Sequence, residues 1–109
     1  LGDQGLMALA EALKFNQSVR LLDIRENGVT DEGMITLAST LKVNSTLCDL
    51  NLWGNKIDDT GAIALANVLE TNQTLLNLEI ASNQISRKGK SILKETWMFT
   101  RKGRTLRIQ

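Results

Sequence analysis

Three stretches of the chain share one apolar pattern. VRLLDIRENGV from Val19, LCDLNLWGNKI from Leu47 and LLNLEIASNQI from Leu75 superimpose without a gap, each starting 28 residues after the last. Inside them apolar and polar residues alternate with the period of two that marks a half-buried strand. The alternation predicts strands around Leu22–Ile24, Leu50–Leu52 and Leu78–Ile80, and a fourth around Leu106–Ile108. Between the strands the period changes. Leu37, Ala38 and Leu41 stand at i, i+1 and i+4, one buried stripe of a helix. Helices are expected over residues 3–14, 31–42, 59–70 and 87–99. Thr30, Asp58 and Ser86 share the column just before each helix, and all three are good N-caps. Asp3, Asp31 and Asp59 follow in the first turn, where negative charge suits the helix dipole.

The register extends well beyond the strands. Gly5, Gly33, Gly61 and Gly89 recur at 28, as do Leu9, Leu37, Leu65 and Leu93. Leu13, Leu41 and Leu69 recur with Trp97 in fourth place, and Ala10, Ala38 and Ala66 form another column. So do Asn27, Asn55 and Asn83, and again Asn16, Asn44 and Asn72. Self-similarity at one fixed period is the signature of a stacked repeat. The strand frame is L-x-x-L-x-L-x-x-N-x-L, preceded by N-x-[ST]-L, with G-x-x-x-L-A in the helix. This unit resembles the ribonuclease-inhibitor-like class of leucine-rich repeats, which includes ribonuclease inhibitor, the repeats of NOD-like receptors, the Ran GTPase activator and tropomodulin. The string Phe99-Thr100-x-x-Gly103-x-x-Leu106-Arg107 also resembles a stretch near the tropomodulin C-terminus, although it precedes a strand here.

The resemblance implies an α/β fold: a right-handed leucine-rich-repeat solenoid of about four strand–helix units, with a parallel concave sheet and the helices on the convex side. A parallel link needs a crossover, which each helix supplies. Asn27, Asn55 and Asn83 are expected to bond open backbone groups of their own and the next repeat, a structural ladder rather than a ligand set. Asn16, Asn44 and Asn72 each open an N-x-[ST] triplet. Read singly these are glycosylation acceptors. Their spacing argues instead for a left-handed residue closing each helix.

Composition narrows the chemistry. The chain has 109 residues, 42% apolar and 23% charged, an ordinary balance for one globular domain. It has no histidine, which removes the commonest general base and metal ligand. Its one cysteine, Cys48, has neither an internal disulfide partner nor a histidine to activate it. A lone cysteine leans towards a reducing, cytoplasmic setting. No P-loop motif occurs, and the acid pairs Asp31-Glu32 and Asp58-Asp59 fall in cap and first-turn positions. No catalytic residue, metal site, cofactor, small-molecule substrate or membrane span is therefore expected.

The net charge of +1 conceals an asymmetry. Residues 1–86 hold 5 Lys+Arg and 11 Asp+Glu, whereas residues 87–109 hold 8 and 1. The column Leu6, Met34, Ala62 becomes Lys90, and the column Ala10, Ala38, Ala66 becomes Lys94. Unpaired lysines cannot lie between packed helices, so this face is expected to meet solvent. Residues 87–109 read as a basic C-terminal capping repeat, since solenoid ends need a polar outer face. Leu1 matches the column Val29, Ile57, Ile85, so the chain is expected to begin inside a repeat and to be the C-terminal part of a longer array. Lys88, Lys90, Lys94, Arg101, Lys102 and Arg104 form a candidate basic patch for an acidic partner. Nucleic acid fits poorly, because no stacking aromatics interleave with these charges.

Strand residues between the core positions point to the concave wall. They form three rows: Leu21, Asp49, Asn77, Thr105; then Asp23, Asn51, Glu79, Arg107; then Arg25, Trp53, Ala81, Gln109. The candidate partner-binding set is Asp23, Arg25, Asp49, Asn51, Trp53, Asn77 and Glu79. Trp53 is singled out, because aromatic residues dominate interface energetics. The expected function is a protein–protein interaction module within a larger intracellular scaffold or sensor. The alternative, by likeness to the Ran activator, is regulation of a GTPase.

Overall fold

The computed structural model describes all residues from Leu1 to Gln109. Four helices alternate with four strands: α1 (Gly2–Leu13), β1 (Leu21–Asp23), α2 (Asp31–Leu41), β2 (Asp49–Asn51), α3 (Asp59–Leu69), β3 (Asn77–Glu79), α4 (Arg87–Thr100) and β4 (Thr105–Arg107). The strands form one parallel sheet in the order β1-β2-β3-β4. Each helix packs on its sequence neighbours, α1 on α2, α2 on α3 and α3 on α4. This is the expected α/β solenoid. Each strand starts one residue earlier than the apolar alternation suggested, because backbone pairing includes the outward residue before the first core leucine.

A single apolar core of 26 buried residues runs the length of the stack. It takes Leu22, Leu50 and Leu78 from the sheet and Leu37, Leu65 and Leu93 from the helices. The glycine column has a steric cause. A Cβ built on Gly61 would lie 2.7 Å from Asp31 Oδ1 and 2.8 Å from Ile57 Cγ2, so only glycine lets adjacent repeats close.

The asparagines make two ladders. Asn55 donates to the carbonyls of Ile24 and Leu52, both at 3.0 Å, and its Oδ1 accepts from the Asn27 and Val29 N–H groups. Asn83 donates likewise to Leu52 and Ile80 and accepts from Ile57. The second column corrects the sequence reading. Asn16, Asn44 and Asn72 do not adopt positive φ; among non-glycine residues only Glu26 and Ser82 do. Asn44 instead donates to the Leu13 and Asn16 carbonyls of the repeat before and accepts from the Thr46 and Leu47 N–H groups. Asn72 repeats the pattern on Leu41 and Asn44. At Asn44 and Asn72, though not at Asn16, the amide nitrogen that a glycan would need is thus engaged with the repeat before.

The first-turn aspartates do more than face a helix dipole. Each reaches the cap residue of the following repeat. Asp3 accepts from the Thr30 N–H at 2.8 Å and its hydroxyl at 2.5 Å, and Asp59 accepts from the same two groups of Ser86 at 2.7 and 2.5 Å. Asp31 accepts from the Asp58 and Gly61 N–H groups at 3.0 and 2.9 Å. Asp58 and Ser86 also cap their own helices, whereas Thr30 spends its hydroxyl on Asp3 alone.

Candidate functional site

The sheet register sets the concave wall. Leu21, Asp49, Asn77 and Thr105 stand opposite one another, as do Asp23, Asn51, Glu79 and Arg107. Two of the three expected rows are therefore real neighbours in the sheet, and the row Arg25, Trp53, Ala81, Gln109 lies beyond its paired residues. A shallow groove follows them and is lined by Asp23, Asp49, Asn51, Asn77, Glu79, Thr105 and Arg107 over a floor of Leu50 and Leu78. Asn77 donates its amide to Asp49 across the strands. Asp23 accepts from the Arg25 backbone N–H and, at 3.0 Å, from its guanidinium. Arg25 and Trp53 stand beside this groove at a second depression, shared with Glu26, Asn51 and Glu79. Trp53 keeps 37% of its surface exposed there, so it both shields the sheet and offers an aromatic face.

The wall is polar and open. No cluster of metal-ligating side chains occurs. Cys48 is a free, half-buried thiol that donates to the Thr46 carbonyl. No helix is long and apolar enough to cross a membrane.

The basic residues do not form one patch. Arg101 is a correction to the expected set: it is 3% exposed and faces inward. Its guanidinium donates to the carbonyls of Leu75 (2.6 Å), Leu69 (2.8 Å) and Asn72. Burial depresses its pKa from the usual arginine range. It also lies 5.3 Å from the ring centre of Trp97, a cation–π contact. The acceptors explain its position. Asn44 bonds Leu13 and Asn16, Asn72 bonds Leu41 and Asn44, and Arg101 bonds Leu69 and Asn72. The fourth repeat has Thr100 where the ladder needs asparagine, and Arg101 supplies the missing rung.

The remaining cations divide. Lys88 and the half-buried Lys90 lie at the start of α4, with Lys88 close enough to Asp59 to favour its ionised form. Lys102 and Arg104 follow its far end, roughly 20 Å away at the helical rise. Lys94 and Arg104 do come together, at a groove with Trp97, Met98, Leu106 and Arg107. Trp97 is buried, its indole N–H donating to the Arg104 carbonyl at 3.2 Å. The outward Met98 in this groove and an apolar row, Met7, Ile35 and Ile63, were missed in the sequence; the row is legible as a 28-residue column, and Met98 as a break in the column Lys14, Lys42, Glu70.

A sequence model described as leucine-rich repeat matches residues 15–38, 43–66 and 71–89, more than half the chain. No curated protein sequence matches the chain. Among solved structures it is similar to a chain titled leiomodin-1 actin-binding site 2, with a TM-score of 0.87 and 25% identity, covering 100% of this chain and 64% of that one. It is also similar in fold to the tropomodulin C-terminal domain of Caenorhabditis elegans, with a TM-score of 0.76 and 16% identity over 98% of this chain and 62% of that one. The chain thus spans less than two thirds of either structure's length. On the repeat match and the architecture together, the chain belongs to the leucine-rich repeat family.

Proposed function

We propose that this domain is a protein-binding module that holds its partner against the concave strand wall, and that the partner is actin. One observation carries the choice of partner: the end-to-end similarity, at 25% identity, to a structure titled as an actin-binding site of leiomodin-1. The wall supports the mode of binding. It presents fixed acids, amides, Arg25 and the part-exposed Trp53, and contains nothing reactive. Rigid, part-desolvated aromatic residues of this kind supply most of the energy of protein interfaces. The same reading places the domain in a larger cytoplasmic scaffold.

The test is titration of fluorescently labelled actin monomers, together with co-sedimentation on filaments. Saturable binding is expected. The pair Asp23→Ala and Trp53→Ala should weaken it about tenfold or more, with circular dichroism unchanged. Binding that is absent in both assays refutes actin as the partner. Binding that survives the double variant moves the contact off the concave wall. Stimulated turnover of a Ran-type GTPase on adding the domain would favour the regulatory alternative instead.

A further inference from the structure

Trp53 stands where three repeats meet. It follows β2, which pairs with β1 on one side and β3 on the other, so its surroundings belong to the interior of the stack. The depression beside it takes Arg25 and Glu26 from the first repeat, Asn51 and Trp53 from the second, and Glu79 from the third. It holds about 260 Å³, below the roughly 300–1,000 Å³ of small-ligand pockets, so it admits the end of one side chain. Its lining groups are held in place. The Glu26 N–H donates to the Trp53 carbonyl at 2.9 Å. The Glu26 side chain lies over Gly54, where a Cβ would come within 2.9 Å of Glu26 Cγ. On the other side Glu79 accepts from the Ala81 N–H at 3.0 Å, which pins its carboxylate. The Trp53 N–H donates to Asn51 Oδ1 at 3.1 Å. Ala81, the next residue in the Trp53 column, is too short to cover the indole, and Trp53 stays 37% exposed.

An indole face attracts a cation, and carboxylates on either side of it add to the attraction. The chain's own candidate is Arg25, and it is turned away. Its guanidinium bonds Asp23 at 3.0 Å, and Asp23 does not line the depression. The one cation set over an aromatic ring in this chain is Arg101, over Trp97. With Arg25 matched by Asp23, the depression keeps two acids, an amide and an open aromatic face. Those acids repel an anion. An apolar side chain would desolvate them and return no hydrogen bond. A guanidinium suits every lining group: its plane stacks on an indole, and its five N–H donors reach carboxylates on both sides. An ammonium has no plane to stack.

We propose that the Trp53 depression receives an arginine side chain of the bound partner, stacked on the indole between Glu26 and Glu79. The inference rests on the reading of the concave wall as the binding face, and gives that face a chemical requirement. Its test does not use actin. The isotope-labelled full chain is titrated by NMR, at physiological salt, with a blocked Gly-Arg-Gly peptide. Two controls carry lysine or citrulline in place of the arginine, citrulline keeping the shape of the side chain without its charge.

Saturable shifts are expected at the Trp53 indole, Glu26 and Glu79. The citrulline peptide should give none, and the lysine peptide should bind about two- to fivefold more weakly, the worth of an exposed stacking contact. Glu26→Gln, at an exposed position, should cut the arginine affinity severalfold. Glu26→Gly should cut it too while raising the melting temperature, which separates a part in binding from a part in folding. Arg25→Ala should raise affinity, because it removes the like charge beside the ring. Asp23→Ala should lower it, because it frees Arg25 to reach the indole. Equal binding of arginine and citrulline overturns the proposal, and so do shifts centred away from Trp53. Equal binding of lysine overturns the choice of a guanidinium. Affinity unchanged in both Glu26→Gln and Trp53→Ala overturns the site. If actin binds and Glu26→Gln leaves that binding intact, the arginine pocket falls and the actin reading stands. If actin does not bind and the peptide shifts appear as expected, the pocket stands and actin falls.

Discussion

Arg101 offers the sharpest test of the inter-repeat ladder. Its guanidinium is buried and satisfies carbonyls at Leu69, Asn72 and Leu75. Replacing it by alanine leaves three inward acceptors without a donor and opens space beside Trp97. An orphaned buried polar group costs about 1–3 kcal/mol, and hydrogen bonds to a charged donor contribute about 1.5–3 kcal/mol each. Water can enter the space left by the side chain, so the expected loss is about 2–4 kcal/mol rather than the full sum. A domain of this size holds about 5–15 kcal/mol in total, so the change is large. In a stack stabilised by nearest-neighbour interfaces, the loss should fall first on α4 and β4. Urea unfolding should show a lower midpoint for Arg101→Ala, and hydrogen exchange should show early opening of residues 87–109. The pair Thr100→Asn with Arg101→Gln restores the asparagine rung used in the other repeats and should recover at least half of the loss. A loss below about 1 kcal/mol for Arg101→Ala, with exchange in α4 unchanged, would refute the ladder-closing role.

Other consequences are open to measurement. Asn55→Ala removes donors to Ile24 and Leu52 and the acceptor for Asn27 and Val29, and should cost about 2–4 kcal/mol by urea melts. Gly61→Ala forces a Cβ against Asp31 and Ile57 and should cost about 1–3 kcal/mol, seen as a lower melting temperature. Glu26 holds φ at 51° in the column where Gly54 has 71°, so Glu26→Gly should stabilise by about 0.5–1 kcal/mol in the same melts. At the Asp31–Asp58 contact two carboxylates meet where the neighbouring repeats pair an acid with a hydroxyl. Desolvation, with Asp58 second, raises the Asp31 pKa. A raised folded-state pKa means that the stabilising proton is bound at low pH and lost as pH rises through that value. Asp58→Ser supplies a hydroxyl that keeps donating above it. This variant should gain about 0.5–1 kcal/mol near neutral pH, solvent screening allowed for, and the gain should shrink as pH falls through the carboxylate range. The opposite sign holds at Asp59, where the Ser86 hydroxyl and N–H lower the pKa. Stability from that pair is present above the unfolded carboxylate pKa and lost as pH falls, so Ser86→Ala should flatten the acid limb of the stability curve.

The core was legible because a repeat states the same constraint several times. Leu22, Leu50, Leu78 and Leu106 fall in one column since each strand must turn the same position inward. The concave rows followed from period two and the 28-residue spacing, and the sheet register reproduces the rows of Leu21 and Asp23. The ladders at Asn55 and Asn83 were legible for the same reason, but not the ladder at Asn44 and Asn72. An asparagine before a strand fits a left-handed turn and an inter-repeat bond equally well, and only backbone geometry separates them. The aspartate column misled in a similar way. A first-turn acid serves its own helix in any isolated reading, and its reach to the next repeat's cap appears only when repeats are stacked.

The fourth repeat is where column reasoning had to fail, and the failure is informative. Position 101 lies in the column Gln17, Ser45 and Gln73, all exposed, so its arginine reads as surface. One residue earlier, Thr100 interrupts the asparagine column, and that gap was the available signal. A missing donor beside a residue with five N–H groups is a rung displaced by one position. The same logic separates the basic end into parts with different work. Arg101 supplies a rung of the ladder, Trp97 is buried beside it, and Lys94, Arg104 and Arg107 stay outside the core and form no ion pair. The departures from the columns are concentrated in the fourth repeat, at Lys90, Lys94, Trp97, Met98, Thr100 and Arg101, so column reasoning is weakest there.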